Sequence, residues 1–138
     1  MYDFMAEVAS LYRALHDVGE TIAATAGLTR TRLACLREVA NEPRTVAKVA
    51  ATQGVARQGV QRTADSLVTD GLATWIHNPQ HRRAKLLAPT SSGNRALAVA
   101  EGAHAAWVAR ARNQLPADLE VLTGRMAAVR EVVAKRDA

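Results

Sequence analysis

TVAKVAATQGVARQGVQRTADSLVTDGLATWIHNPQHRRAKLL, residues Thr45 to Leu87, decides the fold. Thr45 is a helix N-cap type, and Val46, Val49 and Ala50 follow at one face of a 3.6-residue period. Gly54 ends that helix early, because glycine takes the positive φ needed for a sharp turn. A second helix is predicted from about Ala56 to Asp70, with Val60, Ala64, Leu67 and Val68 inward and Gly71 as its stop. Arg57, Gln58, Gln61 and Arg62 are left on the outside. Beyond Gly71, residues 72 to 77 have the aromatic and β-branched content of a strand, residues 78 to 83 form a polar loop, and 84 to 87 return beside the first strand.

Two short helices, a strand, a basic loop and a returning strand outline a winged helix-turn-helix, which presents one helix to the DNA major groove. The outward side chains suit that task. Arginine pairs with guanine or phosphate, and glutamine can bond adenine through two contacts. Thr45 and Lys48, at the start of the preceding helix, are placed for the phosphate backbone. The wing carries His81, Arg82, Arg83 and Lys85, cations suited to the narrower minor groove. Gly59 costs roughly 1 kcal/mol inside a helix, which points to close approach of another molecule.

The succession LTRTRLACLREVA (28 to 40), TVAKVAA, GVARQGVQRTADSLVTDGL and NPQHRRAKLLAPTSSGNRAL resembles the MarR family of bacterial transcriptional regulators across nearly the whole chain. Two features depart from the family pattern. His81-Arg82-Arg83 stands where Asp-x-Arg is frequent in the wing, and Pro89-Thr90 stands where Leu-Thr is usual before the long helix. The resemblance implies a mainly α protein with a small β-wing: a winged helix-turn-helix core at 29–88, flanked by dimerisation helices at 1–27 and 90–138 within a single 138-residue domain.

Charge agrees with a nucleic-acid role. The chain is +5 overall, and Thr29 to Leu87 holds ten Lys and Arg against four acids, or +6, so the flanks together carry −1. Positive charge is thus concentrated on the segment assigned to DNA. Alanine, leucine and valine abound and only five residues are aromatic, which favours helices. The N-terminal sequence lacks a leader pattern, no apolar run approaches the ~20 residues that span a bilayer, and one cysteine cannot form an internal disulfide, so a cytoplasmic location is expected.

Residues 3 to 26 read as a first helix with Met5, Val8, Tyr12, Leu15, Gly19 and Ile22 on one stripe. Thr90 to Gln114 reads as a long helix, broken at Leu115-Pro116, and Ala117 to about Arg136 as a last one, with Leu119, Leu122, Met126, Val129 and Val133 on one side. Such stripes call for a partner, and a homodimer would set two reading heads about 34 Å apart on a pseudo-palindromic operator. The family resemblance further implies a small, often aromatic effector at the junction of terminal helices and winged core. Tyr12, His16, Arg32, Leu36 and Trp107 are the candidate neighbours of that ligand. Release of DNA on ligand binding would make the protein a repressor.

Other chemistries find little purchase. Cys35, within Leu33-Ala34-Cys35-Leu36, reads as a small buried hydrophobe. His77 and His81 are four apart but across a strand and its loop, so no metal site is expected, and no cofactor. Neither a phosphate-cradling loop nor a nucleophile elbow is present, so no enzyme is expected. Two alternatives stay open: a sequence-indifferent architectural DNA-binding protein, and a protein-interaction adaptor that has lost operator binding.

Overall fold

A computed structural model describes residues 1–135. Its elements run α1 (Tyr2–Ala24), α2 (Arg30–Ala40), α3 (Val46–Gln53), α4 (Arg57–Thr69), β1 (Ala73–Ile76), β2 (Leu86–Pro89), α5 (Ser91–Arg112) and α6 (Leu119–Ala134). The contacts cluster into two compact units, one spanning Met1–His104 and a second beginning at Ala105.

The first unit is built around α2, which packs against α1, α3, α4 and β2. Its Leu33, Cys35, Leu36 and Val39 are buried, and they meet the apolar stripes of α3 (Val46, Val49, Ala50) and α4 (Val60, Ala64, Leu67) in one core. Burying side chains of this size stabilises by roughly 1.5–3 kcal/mol each, so the stripes fix which faces of α3 and α4 point inward. Val68, expected inward, is only half-buried.

Local chemistry sets the helix ends. The Thr45 hydroxyl accepts from Lys48 N at 3.2 Å, capping α3, and Thr29 does the same for α2 through Arg32 N at 3.3 Å. Gly54 closes α3 at φ 65°, and Val55 N then donates back to Ala50 O at 3.1 Å. That left-handed cap turns the chain sharply, so only three residues separate α3 from α4.

The hairpin is antiparallel, with Ala73 opposite Pro89, Trp75 opposite Leu87 and Ile76 opposite Leu86. Here the sequence-based expectation is corrected: the returning strand occupies 86–89, not 84–87. Ala84 belongs to the loop, where its N–H donates to His81 O at 3.2 Å. A third short piece was missed altogether. Arg44 bridges Leu87 through two backbone hydrogen bonds of 2.8 and 3.2 Å, so the sheet edge is tied to the residue two before α3.

The start of α5 is locked to the end of the winged segment. Thr90 N donates to Leu72 O at 3.1 Å, the Thr90 hydroxyl donates to Gly71 O at 2.6 Å, and the same oxygen accepts from Gly93 N at 3.1 Å. Gly93 has to be glycine: a Cβ there would lie 2.0 Å from Leu72 O. The proline of Pro89-Thr90 therefore sits at the end of β2 and leaves this joint intact.

In the second unit, α6 has no buried residue; Leu119, Leu122, Val129 and Val133 are exposed and Met126 is half-buried. In the first unit, the early turns of α1 show Met1, Tyr2, Phe4, Met5, Leu11, Tyr12 and Leu15 to solvent, and of its expected stripe only Ile22 is buried. Among the described residues no helix is long and apolar enough to cross a membrane.

Candidate nucleic-acid interface

With α4 anchored by Val60, Ala64 and Leu67, its opposite side is free, and Arg57, Gln58, Gln61 and Arg62 are all exposed there. Ala56, the residue before the helix, supplies no side-chain cap. Gly59 N already donates to Ala56 O at 3.1 Å, so it is the N–H groups of Arg57 and Gln58 that are left for an outside acceptor, at the end where the helix dipole favours anions.

Arg57 and Gln61, one helical turn apart, share a concave surface of about 290 Å³ with Thr45, Val46 and Ala47 of the α3 start and Trp75, Arg83, Ala84 and Lys85 of the hairpin. Five of the residues expected to meet DNA (Thr45, Arg57, Gln61, Arg83 and Lys85) therefore converge from three elements. Lys48, Gln58, Arg62, His81 and Arg82 are exposed but lie outside this concavity. Arg83, rather than Arg82, is the wing arginine that faces the helix.

The loop is shaped by an asparagine. Asn78 is buried, its Oδ1 accepts from Gln80 N at 3.0 Å, and its backbone carbonyl accepts from His81 N at 3.3 Å. This Asx turn aims the loop without a carboxylate at the place the family pattern would put one.

Electrostatics divide the arginines into two sets. Arg32 bonds Asp70 at 2.5 Å and Arg44 bonds Glu38 at 2.8 Å, each fixing one element against another. Among the described residues, Lys48, Arg57, Arg62, Arg82, Arg83 and Lys85 form no ion pair. Six cations without an ion-pair partner, on α3, α4 and the wing, make a field that attracts a polyanion and gives it up as salt rises.

Trp75 was not expected at this surface. It stands half-buried on β1, two residues after the buried Ala73, so period-two alternation places it on the hairpin face that turns toward α4. That alternation was the available signal.

The residues expected around an effector are placed differently from one another. Tyr12 and His16 lie with ring centroids 6.3 Å apart, and His16 is within 4.0 Å of both Asp17 and Glu20. Arg32 is committed to Asp70, and Leu36 is fully buried in the core. Trp107 belongs to the second unit. A separate concavity of about 470 Å³ lies behind α4, walled by Arg30, Thr31, Cys35, Gln53, Gly59 and Thr63 among others. Burial, with some help from Glu38, pushes the Cys35 thiol up to about 11, so it stays protonated near neutrality. Among the described residues no cluster of His, Cys, Asp or Glu could hold a metal ion.

A family model described as the MarR family matches residues 26–84. An uncharacterized protein of Mycobacterium tuberculosis, Rv2011c, is 44% identical over 93 residues, covering 67% of this chain and 65% of its own length. The chain thus spans less than two thirds of that relative. The structure is similar to a crystal structure of the MarR family transcription regulator SP03579, with a TM-score of 0.88 at 19% identity over 96% of this chain and 89% of that one. It is also similar to Staphylococcus aureus MarR in complex with salicylate and kanamycin, with a TM-score of 0.78 at 17% identity over 99% and 93% of the two chains. The winged segment, residues 26–84, is thus matched in sequence by the MarR family model, and the fold of nearly the whole chain is that of the solved MarR relatives.

Proposed function

We propose that this protein is a sequence-specific double-stranded DNA-binding repressor that works as a homodimer and lets go of its operator when a small molecule binds. The observation that carries the reading is the convergence of Thr45, Arg57, Gln61, Arg83 and Lys85 on one concave, acid-free surface beside an uncapped helix start. A polar helix facing outward has a bland explanation, but a basic wing aimed at that same face from 26 residues later in the chain does not.

Each residue then has a role. α4 enters the major groove, where Gln61 and Gln58 read base edges and Arg57 and Arg62 reach guanine or nearby phosphate. Thr45 and Lys48 hold the backbone at the start of α3, and Arg83 and Lys85, with Arg82 and His81 at the tip, grip from the wing. Nothing in this set is arranged for bond making or breaking, and we read the protein as a non-enzymatic regulator.

Dimerisation is supported by the apolar side chains that α1 and α6 leave in solvent. Isolated exposed apolar residues are ordinary; rows of them along terminal helices call for cover. A two-fold dimer presents two α4 helices to one duplex, so the operator is an imperfect palindrome with half-sites about 10 base pairs apart. Effector release is supported by the solved MarR relative bound to salicylate and kanamycin. A ligand that changes the separation of the two heads weakens binding only by its difference in affinity for the two arrangements.

Selection of bound fragments from a random duplex library tests the reading, followed by release assays with aromatic acids. Enrichment of a palindromic sequence with that spacing is the expected result. Retention of all fragments alike would instead identify an architectural DNA-binding protein, and retention of none at low salt an adaptor.

A further inference from the structure

Gln61 enters the proposed DNA surface already held by a neighbour: its Nε2 donates to Asp65 Oδ1 at 3.0 Å, one turn along the same exposed face of α4. An ionised carboxylate can only accept, so the contact decides which end of the amide faces Asp65. The nitrogen turns along the helix toward Asp65, and Oε1 with the second amide hydrogen is left for the duplex. Asp65 itself is the acid nearest in sequence to the four outward side chains, and among the described residues it forms no ion pair.

We propose that Asp65 is a positioning residue that commits Gln61 to adenine, an inference that rests on the DNA-reading role given to α4 above. A free glutamine can turn either amide end toward a base. Its nitrogen suits the acceptors of guanine and thymine, and its oxygen suits the amino groups of adenine and cytosine. With the nitrogen tied to Asp65, the oxygen is presented. Adenine alone follows its amino group with an N7 acceptor on the same base for the remaining N–H. The carboxylate also works by repulsion, because N7 and O6 of guanine and the phosphate oxygens all place negative charge against it. An i, i+4 Gln and Asp pair also supports a helix by itself, but that role predicts no change in base preference when it is lost.

The test is selection from a random duplex library with the full-length wild type and the variants Asp65→Ala, Asp65→Asn and Gln61→Ala. In each half-site the wild type enriches adenine over guanine at one position, on the order of tenfold. Asp65→Asn relaxes that preference, because its amide can donate to Gln61 Oε1 as readily as its oxygen accepts from Nε2, and its affinity for random DNA rises with the lost negative charge. Asp65→Ala brings adenine and guanine to within about twofold there and leaves the rest of the motif unchanged, and Gln61→Ala removes all preference at that position. A wild-type motif that reappears unaltered in Asp65→Ala and Asp65→Asn overturns the positioning role while leaving operator recognition in place. A wild type that enriches no sequence overturns operator recognition and the positioning role with it.

Discussion

Replacing Gly93 by alanine probes the joint that ties the winged segment to α5. The added Cβ would lie 2.0 Å from Leu72 O and 3.1 Å from Leu72 C, both backbone atoms, with the Pro89 side chain at 3.4 Å. Contact needs more than 3 Å, so the helix start or the Leu72 carbonyl has to move by about 1 Å, and that carbonyl also accepts from Thr90 N. Overpacking costs roughly 1–3 kcal/mol and the weakened hydrogen bond about 1 kcal/mol. Against this, alanine in a helix gains up to about 1 kcal/mol over glycine. The net loss is about 1–3 kcal/mol, which lowers Tm by roughly 3–10 °C for a chain of this size. Gly102, in the same helix with nothing within 4 Å, is the internal comparison: its alanine variant gains the propensity term alone and is more stable than wild type. Paired urea and thermal melts of the two variants decide the matter. If Gly93→Ala is as stable as Gly102→Ala, the close packing of Leu72 on α5 is refuted.

Three further outcomes are expected. Arg83→Ala, which removes a wing cation without an acid partner, weakens binding to all duplexes and flattens the dependence of log K on log salt by about one unit per lost phosphate contact; titrations at several salt concentrations measure it. Thr45→Ala removes the cap of α3 and costs about 1 kcal/mol in chemical unfolding, whereas Thr45→Ser costs less because its hydroxyl still accepts from Lys48 N. For Cys35 the folded state favours the protonated thiol, since its pKa of about 11 lies above the unfolded value near 9, so its contribution to stability is complete below pH 9 and is lost as pH rises toward 11. The urea midpoint of wild type should fall across that window more steeply than that of Cys35→Ala, and equal slopes would contradict the burial argument.

The outline of the winged segment was legible because its signals are local. Thr45, Gly54 and Gly71 punctuate the helices, and the inward stripe of α4 leaves Arg57, Gln58, Gln61 and Arg62 on the far side whatever the rest of the chain does. What sequence could not show depends on pairing at a distance. The Arg44 to Leu87 bridge joins residues 43 apart, and a single residue in a connection has no periodicity to betray it. The returning strand was placed two residues early because Ala84 and Lys85 look equally suited to strand or loop, and the turn from His81 to Ala84 is set by backbone hydrogen bonds. Arg82 and Arg83 were indistinguishable as neighbours in sequence; only the geometry of the hairpin turns Arg83 toward α4. Leu36 shows the opposite difficulty, since a leucine at helical spacing suits a cavity wall and a core equally, and here it is fully buried.

The central claim is that the surface formed by Arg57, Gln61, Thr45 and the wing distinguishes one duplex from another. A competition titration measures this directly, with a labelled fragment recovered from the library displaced by itself or by random duplex at one fixed salt concentration. A preference on the order of a thousandfold for the recovered fragment is predicted. Equal displacement by both competitors would contradict it.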